Sequence, residues 1–430
     1  MQKVSYRSFL AKFPYPVHGR SKALRSLSLL SGLTILFLLI ALENHQATAA
    51  ETVSSTEIVL GMSSALTGSA QNLGKDVQRG ILTAFERVNR HGGVHGRKLR
   101  LIALDDGYEP ARTMPNMREL IHKENVVAVI GNVGTPNAIV AVPLANEEKS
   151  LLFASFSGGP ILRNDPPDRY VINFRASYGE EIAAMFDALI DIAGLKPEEI
   201  AFFTQRDSYG DGGFTLGLNT LQSHGLKDTR AVLHVGYERN TLAVEGAVAD
   251  LLMAEKPPRA VVMVGAYAPC AKFVRLCRDS DLAPIFLSVS FVGSSSLANV
   301  LGDTDAHIIV TQVVPYPSDD SIPLVREYHA DLETFDPSAK PGFVDFEGYT
   351  DARILILALE KIPGSPTCEA VIDALEGLGH FDIGLGEPLY LSRSEHQACH
   401  RVWPTALKGG QFVPFPWSGV AALVKGETPP

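Results

Sequence analysis

The chain has 430 residues, of which 46% are hydrophobic and 20% are charged. This composition supports a substantial buried core and excludes an intrinsically disordered protein. Residues 1–50 hold six of the 38 basic residues and one of the 48 acidic residues, which leaves 32 basic and 47 acidic residues in the remainder. So acidic a chain is not expected to bind nucleic acid, because phosphate backbones are bound by clustered Lys and Arg.

The first predicted element is a secretory signal. A basic stretch is followed by an apolar run over residues 27–42 and then by Ala47-Thr48-Ala49, the small residues that a signal peptidase requires. We therefore expect a signal peptide over residues 1–49, cleavage after Ala49 and export to the periplasm. The alternative is an uncleaved membrane anchor, because the apolar run of about 16 residues approaches the ~20 that span a bilayer.

Short apolar, β-branched runs alternate with segments of helical period from residue 57 to about residue 310. This alternation predicts an α/β protein with Rossmann-like parallel sheets covered by helices. The clearest helix is predicted over residues 75–90, where the apolar side chains form one stripe. The predicted strands cover residues 58–62, 99–104, 126–131, 151–155, 200–204, 260–265 and 285–288.

Two features predict two lobes instead of one large sheet. A strand at residues 170–175 leads directly into a helix over 180–193, after which a second alternating series begins. A β-rich stretch at 310–314 is followed by Pro315 and Pro317 and then by further helices, as expected if the chain crosses back. The predicted division assigns residues 57–175 and 312–395 to lobe 1, and residues 176–311 and 396–430 to lobe 2.

Two glycine- and hydroxyl-rich turns are candidate binding elements. In the first, residues 131–137, Thr135 is predicted to cap a helix and Pro136 to occupy its first position, which leaves free backbone N–H groups for an anion. The second turn contains Ser155, Ser157 and Gly158 and follows the next apolar strand. Neighbouring strand ends converge on one crevice in an open α/β sheet, so the binding interpretation is favoured over two ordinary turns.

The second half of the chain supplies three residues that are predicted to face the same crevice. Tyr209 follows the strand at 200–204, Tyr267 follows the strand at 260–265, and Ser290 follows the strand at 285–288. Each lies at the carboxyl end of a predicted parallel strand, where α/β sheets bind ligands.

Signatures of enzymes, cofactors and metals are weak. The chain has no G-x-G-x-x-G turn between strand and helix, no G-x-S-x-G nucleophile elbow and no H-E-x-x-H. His396, Cys399 and His400 lie close in sequence, but no further ligand cluster accompanies them, so we predict a structural role and no bound metal or cofactor. Cys270 and Cys277 are about 10 Å apart along a helix and should not pair, whereas pairing of Cys368 with Cys399 stays open.

An ordered set of short motifs resembles a known family. The motifs are S-x-L-T-G at 64–68, N-R-H-G-G-V-H-G at 89–96, D-D-G-Y-E-P at 105–110, V-I-G with Gly-Thr at 129–135, and D-S-Y-G-D-G at 207–212. In this order they resemble the exported substrate-binding proteins of branched-chain amino acid ABC transporters. The resemblance implies a type I periplasmic binding protein, in which two lobes joined by three crossovers close over a ligand. It also implies a membrane ABC permease as partner, and we expect a monomer.

The resemblance also implies roles for individual residues. The ligand carboxylate is expected to contact Thr135 and the turn at 155–159, which includes Ser155, Ser157 and Gly158. Tyr209 and Tyr267 are expected to cover the ligand from lobe 2. Tyr178 lies just past the first crossover and is a further candidate contact.

One departure from the family pattern bears on the ligand. Amino-acid-binding members usually place an acid after the strand at 285–288 to pair with the α-ammonium group, and this chain has Ser290. An enclosed ammonium group without a counter-charge pays a desolvation penalty of several kcal/mol. We therefore expect a carboxylate without an amino group, which Phe156, Tyr209 and Tyr267 would suit. The disulfide of some members is missing, since Tyr108 and Gly134 stand at its positions.

Three classes of function are compatible with these observations. The leading hypothesis is a periplasmic solute receptor that delivers a small carboxylate-bearing ligand to an ABC permease. The second is a sensory protein of the same fold that reports ligand binding without transport. The third is an α/β enzyme that acts on a small acid.

Overall fold

The computed structural model of the chain describes residues 56–304 and 306–427. The predicted signal segment at residues 1–49, with its cleavage site after Ala49, lies outside the described residues. The described part is an α/β structure with two mainly parallel sheets and helices packed against them, which confirms the predicted fold class. Among these residues, no helix combines the length and apolar composition needed to span a membrane.

The first sheet is parallel and has five strands in the order β2-β1-β3-β4-β5. Its strands are β1 (Glu57–Ser64), β2 (Lys98–Asp105), β3 (Val129–Ile130), β4 (Leu152–Phe153) and β5 (Val171–Ile172). The strand order reverses between β1 and β3, so a crevice opens at the carboxyl ends of these strands. Both predicted turns, at residues 131–137 and 155–160, begin beside this crevice.

The second sheet has seven strands in the order β14-β13-β10-β9-β8-β6-β7. Its strands are β6 (Ile200–Gln205), β7 (His234–Tyr237), β8 (Ala260–Val264), β9 (Ile285–Ser288), β10 (Ile308–Gln312), β13 (Trp403–Lys408) and β14 (Gln411–Pro414). The five parallel strands β6–β10 repeat the order of the first sheet, and the antiparallel strands β13 and β14 extend its edge. Each sheet therefore has its own crevice at its strand ends.

Helices cover both sheets, and a hairpin of β11 (Gly379–Phe381) and β12 (Leu389–Leu391) forms a small third sheet. The helices are α1 (Gln71–Arg90), α2 (Pro110–His122), α3 (Thr135–Glu148), α4 (Tyr178–Phe186), α5 (Ser208–Ser223), α6 (Glu245–Leu252), α7 (Tyr267–Asp279), α8 (Ser294–Leu301), α9 (Pro323–Phe335), α10 (Phe343–Leu359), α11 (Cys368–Glu376) and α12 (Val420–Val424). Helix α10 packs along α1, so the chain returns to the first sheet after β10.

Several predicted elements differ from the structure in their bounds. The strand predicted at 126–131 is only β3, because the chain turns at Gly131 with a φ of 71°. The helix predicted at 180–193 consists of α4 and a π-helical segment, Asp187–Ile192. Pro115 lies inside α2, which begins at Pro110 and continues through it. Strand β7 and the β11–β12 hairpin were not predicted.

All four cysteines are free. Cys270 and Cys277 lie on α7, as expected, and both are buried. Cys368 and Cys399 do not pair. The Cys368 thiol instead donates a hydrogen bond to the carbonyl oxygen of Lys149 at 3.3 Å.

Candidate functional site

The two hydroxyl-rich turns of the first sheet are joined directly. Val133 and Phe156 form a parallel bridge, the Phe156 N–H donates to the Asn132 carbonyl at 2.8 Å, and the Gly134 N–H donates to the Phe156 carbonyl at 3.1 Å. The hydroxyls of Thr135 and Ser157 are 2.8 Å apart and hydrogen-bonded. The two turns therefore form one continuous surface at the carboxyl ends of β3 and β4.

Thr135 does not cap α3, which corrects the prediction from the sequence. Gly134 occupies the cap position with a φ of 103°, and Thr135 is the first helical residue. Glycine is required there because a β-carbon would lie 2.2 Å from Cε2 of Tyr108. Since no side chain caps α3, the Thr135 hydroxyl is left to contact the second turn.

Tyr178 is fixed against the same turns by the start of α4. Ser177 and Glu180 form a capping box that sets the first turn of this helix. The Tyr178 N–H donates to the Gly158 carbonyl at 2.9 Å, and a β-carbon at Gly158 would lie 2.5 Å from Cδ1 of Tyr178. Glycine at this position therefore allows the Tyr178 ring to lie directly on the turn.

Tyr209 reaches Tyr178 from the second sheet. The Asp207 side chain caps α5 by accepting a hydrogen bond from the Tyr209 N–H at 3.0 Å. This cap places the ring of Tyr209 5.3 Å from the ring of Tyr178, centroid to centroid. Helix α4 packs along α5, so the two tyrosines meet on the second-sheet side of the crevice, and Tyr178 also contacts the Gly158 turn of the first sheet.

Phe291 is a site residue that the sequence analysis missed. Its ring lies 4.7 Å from Tyr209, 5.5 Å from Phe156 and 6.1 Å from Tyr108. We refer to Tyr108, Phe156, Tyr178, Tyr209 and Phe291 as the aromatic cluster. A large apolar residue in the serine-rich segment after β9 was the sequence signal for this role.

Among the described residues, three hydroxyls in and beside the aromatic cluster are buried without a well-formed hydrogen bond, although that of Tyr178 lies close to the hydroxyls of Thr135 and Ser157. They are Oγ of Ser155 and the phenolic hydroxyls of Tyr178 and Tyr209. Burial raises the pKa of both tyrosines, so both hydroxyls stay protonated at neutral pH. An unsatisfied buried hydroxyl costs about 1–3 kcal/mol, which a polar ligand at this place would recover.

Tyr267 and Ser290 have different positions relative to the aromatic cluster. Tyr267 begins α7 and contacts Asn72 and Gly293, beside the cluster and not within it. Ser290 precedes Phe291, and its hydroxyl donates to Oε1 of Glu181 at 3.0 Å. The structure thus brings Ser290 to the crevice and leaves Tyr267 at its margin.

An acidic side chain does lie next to Ser290. This corrects the expectation that the crevice lacks an acid because residue 290 is a serine. Glu181, from α4, accepts hydrogen bonds from the Ser290 N–H at 2.7 Å and from the Thr311 hydroxyl at 2.6 Å. Its carboxylate is fully buried. The sequence pattern did not reveal this acid because it comes from an element more than a hundred residues away.

Arg175 is the third residue that the sequence analysis missed, after Phe291 and Glu181. Its side chain is 1% exposed, and its guanidinium donates to the Ser290 hydroxyl across the crevice. The guanidinium lies 4.8 Å from the centre of the Phe156 ring and is paired with Glu181 at 3.4 Å and Glu347 at 3.3 Å. A lone arginine in the apolar stretch after β5 was the only signal in the sequence.

Polar contacts between the two sheets surround the aromatic cluster. The Gln205 amide donates to the Tyr108 hydroxyl at 3.2 Å, and Arg239 donates to Glu109 at 2.8 Å. On another side, the Asn72 amide donates to the Ser296 hydroxyl at 3.1 Å. The described structure is therefore closed around the cluster.

His396 and His400 have structural partners. The His396 ring contacts the backbone carbonyl of Val171 at 2.9 Å and the Glu376 carboxylate at 3.2 Å. His400 contacts Glu180 at 2.6 Å, and this hydrogen bond raises the pKa of the imidazole. Both rings therefore tie the chain near residue 400 to α4 and α11.

The chain is similar to periplasmic binding proteins in sequence and in fold. The family described as Periplasmic binding protein matches residues 57–411. The crystal structure of a possible leucine/isoleucine/valine-binding protein from Rhodopirellula baltica SH 1 is 46% identical, covers 86% of this chain and 98% of its own length, and gives a TM-score of 0.82.

Two further relatives agree with this result. A substrate-binding periplasmic protein from Ralstonia solanacearum is 27% identical over 83% of this chain and 99% of its own, with a TM-score of 0.76. The leucine-, isoleucine-, valine-, threonine-, and alanine-binding protein of Pseudomonas aeruginosa is 21% identical over 76% of this chain and 84% of its own. All three relatives carry the names of binding proteins, and none of these names describes an enzyme or a sensor.

Proposed function

Because this chain belongs to the periplasmic binding protein family, we propose that it captures a small carboxylate-bearing solute between its two sheets and delivers it to a membrane ABC permease. The ligand is an amino acid or a related organic acid. The proposed contact residues are Thr135, Ser155, Ser157, Gly158, Tyr178, Tyr209 and Ser290, with Tyr267 at the margin of the crevice.

The observation that carries this proposal is the group of unpartnered hydroxyls at the aromatic cluster. Ser155, Tyr178 and Tyr209 are each at most 3% exposed, yet their hydroxyls have no hydrogen-bond partner among the described residues. Buried polar groups are usually satisfied, and each exception calls for an explanation. A ligand with oxygen acceptors would satisfy all three.

The first-sheet turns offer donors for the carboxylate. Among the described residues, no side chain caps α3. The Gly134 N–H is bonded to Phe156, and Pro136, which is the second helical residue and not the first as predicted, has no N–H. The N–H groups of Thr135 and Asn137 are therefore the donors proposed for an anion. The Thr135 and Ser157 hydroxyls adjoin this helix start and already contact each other. The rings of Phe156, in the same turn as Ser157, and Phe291 lie 5.5 Å apart and would cover the apolar part of the solute.

Delivery to a permease requires a signal that the ligand is bound. The hydrogen bonds Arg239–Glu109 and Asn72–Ser296 link residues on the two sides of the crevice. They can form only when the two sheets are close together, as in the closed form. A ligand that contacts both sides would favour this closed form, and a permease that recognises both lobes at once would select it. The lobe division at residues 175, 311 and 395, the monomeric state and export to the periplasm belong to the same proposal.

A thermal-shift screen of the purified protein tests the proposal. Amino acids, aliphatic acids, aromatic acids and the corresponding amides would be added separately to the protein. Binding to the folded state raises the melting temperature by mass action, so carboxylates should raise it in a concentration-dependent way and the matching amides should not. A melting temperature unchanged by every carboxylate would contradict the proposal.

The role of Thr135 is tested by the substitution Thr135→Val. Removing the hydroxyl should weaken binding of a carboxylate found in the screen by about 1–3 kcal/mol, as measured by titration calorimetry. Thr83→Val is the matched control, because Thr83 is also buried but its hydroxyl donates within α1 to the Arg79 carbonyl. Equal affinities of the Thr135→Val protein and the wild type would exclude this residue from the carboxylate site.

A further inference from the structure

Arg175 brings a positive charge into the proposed site. Its guanidinium lies against the rings of Phe156 and Tyr178, with distances of 4.8 and 5.9 Å to the ring centres. It also donates to the hydroxyl of Ser290 on the opposite side of the crevice. The cation therefore contacts residues from both sides of the crevice.

The hydrogen bonds of Arg175 are incomplete. Nη2 contacts Ser290 and Glu181, but Nε has no acceptor among the described residues. Nη1 lies 3.3 Å from Oε1 of Glu347 without hydrogen-bond geometry. A guanidinium has five N–H donors, and burying them unsatisfied is unfavourable. Nε of Arg239 also lacks an acceptor among the described residues, so the incomplete bonding of Arg175 indicates a ligand because it coincides with the aromatic cluster.

Glu181 is the acid to which the ammonium group of an amino acid would pair. Its carboxylate accepts hydrogen bonds from the N–H of Ser290 and from Thr311, and it has no solvent exposure. Arg175 is already paired with it at 3.4 Å. An ammonium group placed here would meet the positive guanidinium and no uncompensated negative charge, which is unfavourable in a buried site.

Other titratable groups lie close to Arg175. Burial raises the pKa of Asp351 well above its usual range, and burial raises the pKa of Glu347 to about 7. Arg163, which is half-buried, brings a second positive charge near Arg175, and the Glu180 carboxylate lies close enough to Arg163 to offset it. The positive guanidinium beside Glu181, with Nε and Nη1 still lacking hydrogen bonds among the described residues, therefore favours an anion over a second cation.

We infer that Arg175 determines the ligand class: its guanidinium occupies the position at which an α-ammonium group would pair with Glu181, so the site accepts carboxylic acids that lack this group and rejects α-amino acids. The inference rests on the proposed function and narrows its ligand. It also replaces the argument from the missing acid at position 290. An acid, Glu181, does lie beside Ser290, but its charge is paired with Arg175.

The test compares acids and amino acids that share one side chain. The pairs are 4-methylpentanoate with leucine and 3-phenylpropanoate with phenylalanine, each titrated calorimetrically into the purified protein. For at least one pair, the wild-type protein should bind the acid at least 100-fold more tightly than the amino acid. Arg175→Met should reduce this ratio at least 30-fold, because it leaves the Glu181 carboxylate free to pair with an ammonium group.

Further variants keep the test decisive if Arg175→Met does not fold. The double substitution Arg175→Met with Glu181→Gln removes both charges and should bring the ratio to within tenfold of unity. Arg175→Lys keeps a positive charge and should still discriminate against amino acids. Arg79→Met is the control: this arginine pairs with Asp345 away from the aromatic cluster, and its loss should leave the ratio unchanged.

The outcomes separate the inference from the proposed function. If the wild type binds no carboxylate in this set or in the wider screen, the proposed function fails and the inference falls with it. If the wild type binds leucine as tightly as 4-methylpentanoate, the inference is overturned and the proposed function stands. The inference is also overturned if the double variant keeps the wild-type ratio within threefold.

Discussion

Two groups of side chains differ in how completely their hydrogen bonds are satisfied: the Arg79 cluster (Arg79, Tyr328 and Asp345) and the Arg175 cluster (Arg175, Tyr178, Glu181 and Glu347). Arg79, where α1 packs on α10, donates twice to Oδ2 of Asp345, at 3.0 and 3.3 Å, and Tyr328 donates to the same oxygen at 2.7 Å. Within the described ranges, Arg175 leaves two of its nitrogens without hydrogen bonds, and the hydroxyl of neighbouring Tyr178 also has no well-formed hydrogen bond.

We interpret the Arg79 cluster as polar groups that support the fold, and the Arg175 cluster as polar groups whose hydrogen bonds a bound ligand would complete. Both clusters contain buried carboxyls whose pKa is raised by burial, as Asp345 and Glu347 show. Burial and a shifted pKa therefore do not identify the binding site. Unsatisfied donors and hydroxyls are more informative where several of them gather, as they do at Arg175, Tyr178 and Tyr209, because buried polar groups are usually paired.

The largest expected effect is on stability, in the Arg79 cluster. Asp345→Ala removes the acceptor shared by Arg79 and Tyr328 and should lower the free energy of unfolding by about 3–5 kcal/mol, as expected for breaking a buried pair. Asp345→Asn keeps a side-chain oxygen that can accept these hydrogen bonds, so it should lower the free energy of unfolding by less than Asp345→Ala does. Urea unfolding at pH 7 measures both variants. If the Asp345→Ala protein is as stable as the wild type, the Arg79 cluster does not support the fold and its proposed difference from the Arg175 cluster is wrong.

A smaller effect, which depends on pH, is expected in the Arg175 cluster from Glu347→Gln. Burial raises the pKa of Glu347 from 4.5 to about 7, so the folded state binds this proton more tightly than the unfolded state. The contribution of Glu347 to stability is therefore greatest below about pH 4.5 and falls as the pH rises to about 7. Glutamine resembles the protonated acid and is insensitive to pH.

The Glu347→Gln protein should thus match the wild type in stability near pH 4.5. Its advantage should grow through pH 7 and reach on the order of 2–3 kcal/mol above it. Unfolding by urea at a series of pH values measures this difference. An advantage that is constant with pH would show that the carboxyl ionises as freely in the folded protein as in the unfolded chain, and one that grows as the pH falls would show that it ionises more readily in the folded protein.

The smallest expected effects have opposite signs in the two clusters. Tyr328→Phe removes a hydroxyl that donates to Asp345 and should lower the stability by about 1–2 kcal/mol. Tyr209→Phe removes a buried hydroxyl without a partner and should raise the stability of the ligand-free protein by about 1 kcal/mol. Denaturation without ligand measures both. A loss of stability in Tyr209→Phe would indicate that its hydroxyl is already satisfied without a ligand.

Much of the fold and part of the candidate site were accessible from the sequence. The alternation of strands and helices predicted the α/β class because hydrophobic periodicity depends on local burial. The turns that contain Thr135 and Ser157 were predicted to converge because the ends of neighbouring parallel strands lie together, and their hydroxyls are 2.8 Å apart. The cap at Gly134 was missed, since it depends on the packing of Tyr108 against that residue.

The sequence by itself determined the order of the elements, the two sheets and the strand ends at which polar residues gather, because these features follow from periodicity and turn chemistry along the chain. Only the tertiary structure decided that Glu181 lies beside Ser290, that Arg175 neutralises it and that Phe291 enters the aromatic cluster. Charge compensation depends on distance in space, and residues 109 or 115 positions apart carry no local sign of their contact.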